Sequence, residues 1–342
     1  MKKIICLFFL ILSYSDFIYS QFSQQYLSTD TSQIEITKNS KYYIFKEILN
    51  EKDSIIYKVY FIEDTTKIFQ NGIWKKNGNY IGIWEEFNFD GILMYKIDYD
   101  KGIAEINKDF FPYHEILENM KLKVDSLFIN TYSKEFFENH VFFDFDCSAY
   151  GIVQTVNNEG KSDLISKYVG SWKEPMIAKP NEFKFRYIVK LNKSDENGVD
   201  INILLDSTGN YLSTSDDKWR NYGFEEVKDD NKNFNININS ALITAKNNGL
   251  SLTDTSIVSE FLFFENFKQG KFFNGKFRYY VTVLKNSSEY IKDNGRKGII
   301  YRYDAYIFNP WTGEFIEKKK LKNFKEWEKN SGFNSGLIPD GD

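Results

Sequence analysis

The sequence predicts a β-rich α+β protein: an N-terminal antiparallel hairpin sheet followed by two related modules, each a helix on an antiparallel sheet. Three observations carry that expectation. Of 342 residues, 18% are aromatic, with 32 Phe, 23 Tyr and 6 Trp against 5 Pro, a composition suited to pleated, half-buried surfaces. The tripeptide Gly72-Ile73-Trp74 returns ten residues on as Gly82-Ile83-Trp84. Lys184-Phe185-Arg186-Tyr187 reappears as Lys276-Phe277-Arg278-Tyr279, and the residues after each copy keep a common order. A hydrophobic share of 42%, a charged share of 27% and a mean hydropathy of −0.47 exclude a polytopic membrane protein and a disordered chain. The net charge of −4 argues against nucleic acid as a partner.

Residues 1–20 read as a secretory signal. Lys2 and Lys3 precede an apolar core from Ile4 to Leu12, and Ser20 is a small residue before a cut at Gln21. The apolar core is too short to span a bilayer, and no later segment re-anchors the chain. Cleavage would move the net charge from −4 to −5. It would also leave Cys147 as the sole cysteine, without a disulfide partner. The expected location is therefore the periplasm or the exterior.

Residues 21–105 form the expected hairpin sheet. The runs at 42–45 and 55–62 are β-rich and alternating, and Asp90-Gly91 between apolar flanks is a hairpin signal. Each Gly of the Gly-Ile-Trp pair permits a tight turn, with Trp packing across the next rung. After the second copy come Phe87, Tyr95 and the turn Tyr99-Asp100-Lys101-Gly102. At residues 70–102 the segment resembles the bacterial variant of the MORN-type repeat, over about one and a half units. The resemblance implies a scaffold or interaction surface rather than an enzyme.

Residues 106–225 are expected to form the first module. Residues 109–123 read as a helix with Pro112 in its first turn and Ile116, Leu117 and Met120 on its apolar face. Ser133 is placed to cap a short helix, residues 140–147 alternate like a strand, and 161–168 read as a further helix closed by Gly170. Residues 226–330 form the second module. Its helix begins at a Ser240 cap and ends at Gly249, and another helix is expected at 321–329. Asp200, Ile203, Thr208 and Gly209 match Asp304, Ile307, Thr312 and Gly313 at equal internal spacing, which points to a duplication. Residues 236–320 resemble the PepSY-like modules of exported bacterial proteins. That resemblance implies a small α+β fold with inhibitory or binding roles, and it carries no catalytic residue across. The tail, 331–342, is rich in Gly and expected to fray.

Chemistry-bearing constellations are sparse. His114 and His140 are the only histidines. On a strand, His140, Asp144 and Asp146 share a face, but residues two apart are about 6.6–7 Å apart, too far for three ligands to meet one metal. Cys147 would face the opposite way from His140, which disfavours a Cys-His pair. The acidic turns Asp195-Glu196-Asn197-Gly198, Asp229-Asp230-Asn231 and Asp206 with Asn210 lack the ligand pattern of a helix-loop-helix calcium site. Glu85 and Glu86 point to opposite faces of a strand and cannot flank one glycosidic bond. Phosphate loops, dinucleotide fingerprints and serine elbows are missing from the sequence. Lys318-Lys319-Lys320 reads as a solvated strand end or a linker into the helix expected at 321–329.

The candidate binding residues are Trp74, Tyr80, Trp84 and Tyr95, types used in binding hot spots that would dock a peptide or stack a sugar. Core packing is the competing use of the same rings. The expectation is an exported, non-enzymatic protein that binds a protein or peptide, with a glycan as the second partner class and no cofactor or metal. The alternative is an envelope hydrolase or carbohydrate-active protein without a recognisable motif.

Overall fold

The computed structural model describes residues 24–340 apart from 29–31, 40, 50–52, 77, 159–160, 177, 194, 196–197, 213–232, 254–255, 268–273, 293–294, 329–330 and 335. The expected signal segment, the Asp229–Asn231 turn and part of the Asp195–Gly198 turn lie outside the described residues. The chain divides into two compact units, Met1–Phe111 and Pro112–Asp342. The fold is β-rich α+β, with antiparallel sheets and three helices among the described residues.

The first unit is a meander of eight strands, each paired with its sequence neighbour. They are β1 (Gln24–Ser28), β2 (Ser32–Lys38), β3 (Tyr42–Leu49), β4 (Ser54–Phe61), β5 (Ile68–Lys75), β6 (Tyr80–Phe87), β7 (Leu93–Asp98) and β8 (Ile103–Ile106). The Asp90-Gly91 signal is realised. Gly91 takes a φ of 79° in the turn between β6 and β7, and Asn88 closes that turn by accepting from the Ile92 N–H.

The second unit opens with α1 (His114–Thr131) and α2 (Lys134–His140). Helix α1 starts five residues later than expected, because Asn107 folds the preceding stretch into a turn. Its carbonyl accepts from the N–H groups of Phe110 and Phe111, and its side chain from that of Asp109. Pro112 therefore stands before the Tyr113 N-cap rather than inside the first turn. The Ser133 cap forms as expected, its hydroxyl accepting from the Phe136 N–H at 2.9 Å.

A five-stranded sheet comes next: β9 (Val141–Phe143), β10 (Ala149–Asn158), β11 (Lys161–Gly170), β12 (Glu182–Val189) and β13 (Val199–Asp206). Residues 161–168 are thus strand, not helix. Their apolar spacing fits both periods, and the ladder to β10 decides. Helix α1 packs on β12, where Phe128 lies 4.8 Å from the Tyr187 ring and the Tyr187 hydroxyl donates to Asp125 at 2.7 Å. Burial, followed by the Asp125 charge, pushes the Tyr187 phenol far above its ordinary value.

Beyond this sheet lie α3 (Ile238–Asn247) and a six-stranded sheet. Its strands are β14 (Val258–Phe267), β15 (Asn274–Ile291), β16 (Lys297–Phe308), β17 (Phe315–Glu328), β18 (Ser331–Asn334) and β19 (Ile338–Pro339). Asn237, not Ser240, caps α3, accepting from the Ser240 N–H, while Gly249 ends it with a φ of 92°. Ala241 and Ala245 bury against Tyr279, Val281, Tyr306 and Phe308. The helix expected at 321–329 is the end of β17: Leu321, Phe324 and Trp327 recur every three residues, but β16 offers an edge to pair with along 297–308. The tail is tied down rather than frayed, since β18 and β19 both pair with β17.

Both repeated segments lie in antiparallel hairpins, and Gly209 and Gly313 take φ values of 81° and 76°. Yet the matched tetrapeptides are not at equivalent rungs. All of Lys184–Tyr187 pairs with β13, whereas Tyr279 alone of Lys276–Tyr279 reaches β16, opposite Phe308. The turn spanning Asn309–Glu314 is also one residue longer than that spanning Asp206–Asn210. Ile203 and Ile307 consequently face opposite sides of their sheets: Ile203 pairs with Phe185 in the strand under α1, while Ile307 packs with Tyr280, away from α3. The expected boundary at 225/226 is bridged as well. Trp311 and Phe234 pack on Tyr132 and Phe136 of the first module, with ring centroids 5.0–5.7 Å apart.

Candidate binding face

The Gly-Ile-Trp pair shapes the first unit's sheet. Gly72 is bare because the Trp84 ring lies on it; a methyl group there would sit 1.9 Å from the ring. Gly82 does something different. It takes a φ of 61°, donates its N–H to Asp100 at 3.0 Å and accepts from the Tyr99 N–H at 2.9 Å. Asn71 pairs with Glu85 and Ile73 with Ile81, so Gly72 alone opposes residues 82–84. The bulge breaks the ladder between β5 and β6.

Strand alternation then sorts the side chains. Trp84 pairs with Ile97 and Glu86 with Tyr95, which places these four on one face. Trp84 and Tyr95 are 3% and 1% exposed, so burial makes them packing residues of this face rather than an open binding surface. The Tyr95 hydroxyl donates to Glu86 at 2.9 Å, and burial together with that carboxylate raises its pKa far above the ordinary phenol value. Trp74 and Tyr80 are half-buried. Their ring faces are spent on neighbours, with Tyr57 stacked 4.6 Å from Trp74 and Tyr99 stacked 5.1 Å from Tyr80.

The opposite face carries the isoleucines. Ile73 is 36% exposed, Ile83 45% and Ile103 58%. Ile73 and Ile83, with Ile56, line a groove of about 530 Å³ together with the bulge glycines Gly72 and Gly82. Its polar end holds Asp98, Asp100 and Lys101. Lys101 Nζ lies 2.9 Å from Asp98 Oδ2, and this hydrogen-bonded pair lowers the Asp98 pKa while raising that of Lys101. The neighbouring rung is polar, running Lys58, Asn71, Glu85, Lys96, Glu105 across five strands. Sequence reasoning singled out the tryptophans and missed this surface. The signal was present, because a period of two that buries Trp84 must turn Ile83 outward.

The other candidates do not converge. Residues 140–147 are not one strand: β9 ends at Phe143, and the Asp144 carboxylate folds a turn by accepting from the N–H groups of Asp146 and Cys147. Arg186 spans this turn, donating to Cys147 Sγ at 3.0 Å and Asp200 at 2.7 Å, and Lys173 pairs with Asp146. Burial and the Asp144 charge push the Cys147 thiol up, the wrong direction for a nucleophile. His140 packs on Phe136 and Phe234, its Nδ1 3.1 Å from the Lys190 carbonyl. Glu85 and Glu86 bond to Asn71 and Gln70 on opposite faces. Among the described residues, no group of three His, Cys, Asp or Glu is placed to hold a metal ion, and no helix is long and apolar enough to cross a membrane. No family model, no curated protein and no solved structure matches the chain.

Proposed function

We propose that the chain is an exported, non-enzymatic binding protein of the cell envelope. Its first unit docks a protein or peptide partner on the isoleucine face. The observation that carries this reading is the exposure of Ile73, Ile83 and Ile103 at and beside a groove while Trp84, Tyr95 and Ile97 on the opposite face of the sheet are buried. Aliphatic side chains at this density on one sheet face favour a partner that removes them from water. Two carboxylates against one ammonium at the polar end favour a segment bearing a basic residue beside its aliphatic ones. The lysine-flanked apolar leader supports export, and the likeness of residues 70–102 to MORN-type repeats supports an interaction role.

The test is co-purification from native envelope with the wild type and with the double variant Ile73→Asp/Ile83→Asp. Both positions are partly exposed, so the double variant should still melt cooperatively at a somewhat lower temperature, while retention of the partner should fall by about tenfold or more. A partner held equally by both proteins would show that this face is not the site.

A further inference from the structure

The second unit carries a strongly one-sided charge. Residues 271–330 hold 14 Lys and Arg against 7 Asp and Glu, in a chain whose net charge is −4. Strand pairing gathers much of it on one face. Lys318 pairs with Tyr306, Lys320 with Asp304 and Lys322 with Arg302, so all six project to one side of β16 and β17. It is the side on which α3 covers Tyr306 and Phe308. Lys319 falls on the other face, so what reads in sequence as a triple lysine run is an alternating row.

Two carboxylates serve four cations here. Asp304 lies 3.8 Å from Lys285 and 3.2 Å from Lys318, while Asp340 lies 3.5 Å from Arg302 and 3.1 Å from Lys322. Both acids are only 15–20% exposed, whereas Lys285, Lys318 and Arg302 are 48%, 38% and 37% exposed and Lys322 is 23% exposed. Lys320 is also exposed. The outer layer of the face is therefore cationic and its neutralising charge lies beneath.

We propose that this face binds an acidic protein segment in extended conformation. Lys318, Lys320 and Lys322 are spaced at about 6.6–7 Å, the spacing of alternate side chains in an extended peptide laid along β17. An anionic glycan fits less well. Aromatic rings on this side are already capped by ammonium groups, Lys318 over Tyr306 at 5.1 Å and Lys322 over Phe324 at 5.7 Å. Those rings are not open for a pyranose to stack on. The lysine row belongs to the second unit and the isoleucine groove to the first.

The test is fluorescence anisotropy of the full-length protein with labelled oligo-glutamate, and with polygalacturonate as the competing polyanion. Oligo-glutamate should bind at low salt and weaken as ionic strength rises. The variant Lys318→Gln/Lys320→Gln/Lys322→Gln should lose about tenfold or more in affinity, whereas Ile83→Asp should bind as the wild type does. Asp304→Asn, which removes an anion shared by two lysines, should bind more tightly. Equal affinity in the triple variant overturns the proposal, as does tighter binding of polygalacturonate. If the triple variant fails to melt cooperatively, Asp304→Asn decides: unchanged affinity there overturns it.

Discussion

At Gly72, a missing side chain is what the fold requires. The Trp84 ring occupies the space a Cβ would take, so glycine at one repeat position and tryptophan at the next are a single packing device. Gly72→Ala should cost about 1–3 kcal/mol through overpacking, and Trp84→Ala about 3–5 kcal/mol through the cavity it leaves. The double variant should cost less than the two singles together, since the added methyl enters the vacated space. Urea midpoints of the three variants check this; additive losses would mean that the two residues are not coupled. The device was half legible. The spacing announced that Gly and Trp belong together, but not that Gly72 serves Trp84, or that Gly82 serves the bulge instead. Two identical tripeptides play different roles because their neighbours across the sheet differ.

Among the elements, the turn that closes β13 is held by a cluster of side-chain hydrogen bonds. The Asp206 carboxylate accepts from the Thr208 N–H and hydroxyl at 2.8 and 2.7 Å, and from the Asn210 N–H at 2.9 Å. These bonds, the Thr208 hydroxyl first, lower its pKa from 3.8 to about 2. A carboxylate depressed on folding adds stability that is complete above its ordinary value and is lost as the pH falls through the folded one. The advantage of the wild type over Asp206→Asn should therefore be constant above about pH 4 and disappear near pH 2. Denaturant midpoints of the two proteins across that window supply the measurement, and a gap independent of pH would refute the assignment. Hairpin turns of this kind were readable because Asp, Thr and Gly act locally. The segments at 161–168 and 321–329 were not, because their apolar spacing suits a helix and a strand alike. Only a partner edge settles the choice.

The whole molecule is two units, and within the second one aromatic contacts cross the boundary that the sequence suggested at 225/226. Tyr132, Phe136 and His140 from one side of residue 225 share an aromatic cluster with Phe234 and Trp311 from the other. A fragment of residues 112–342 should therefore melt cooperatively by circular dichroism. One of residues 226–342 should not, because it leaves Phe234 and Trp311 without their cover. Cooperative melting of the shorter fragment would restore the two-module division.

By itself the sequence determined the β-rich class, the hairpin turns at Gly91, Gly102 and Gly209, the Ser133 cap and the opposed faces of Glu85 and Glu86. Each rests on interactions within a few residues, or on the strict alternation of a strand. Tertiary structure alone decided the register that separates Ile203 from Ile307, and the bulge that opens the isoleucine groove. It also decided which of two alternating faces is buried, and it set Lys318, Lys320, Lys322 and Arg302 side by side. The physical reason is that register and pairing are chosen by the energy of contacts between residues distant in sequence. A shift of one residue exchanges the two faces of a strand while leaving every local signal unchanged.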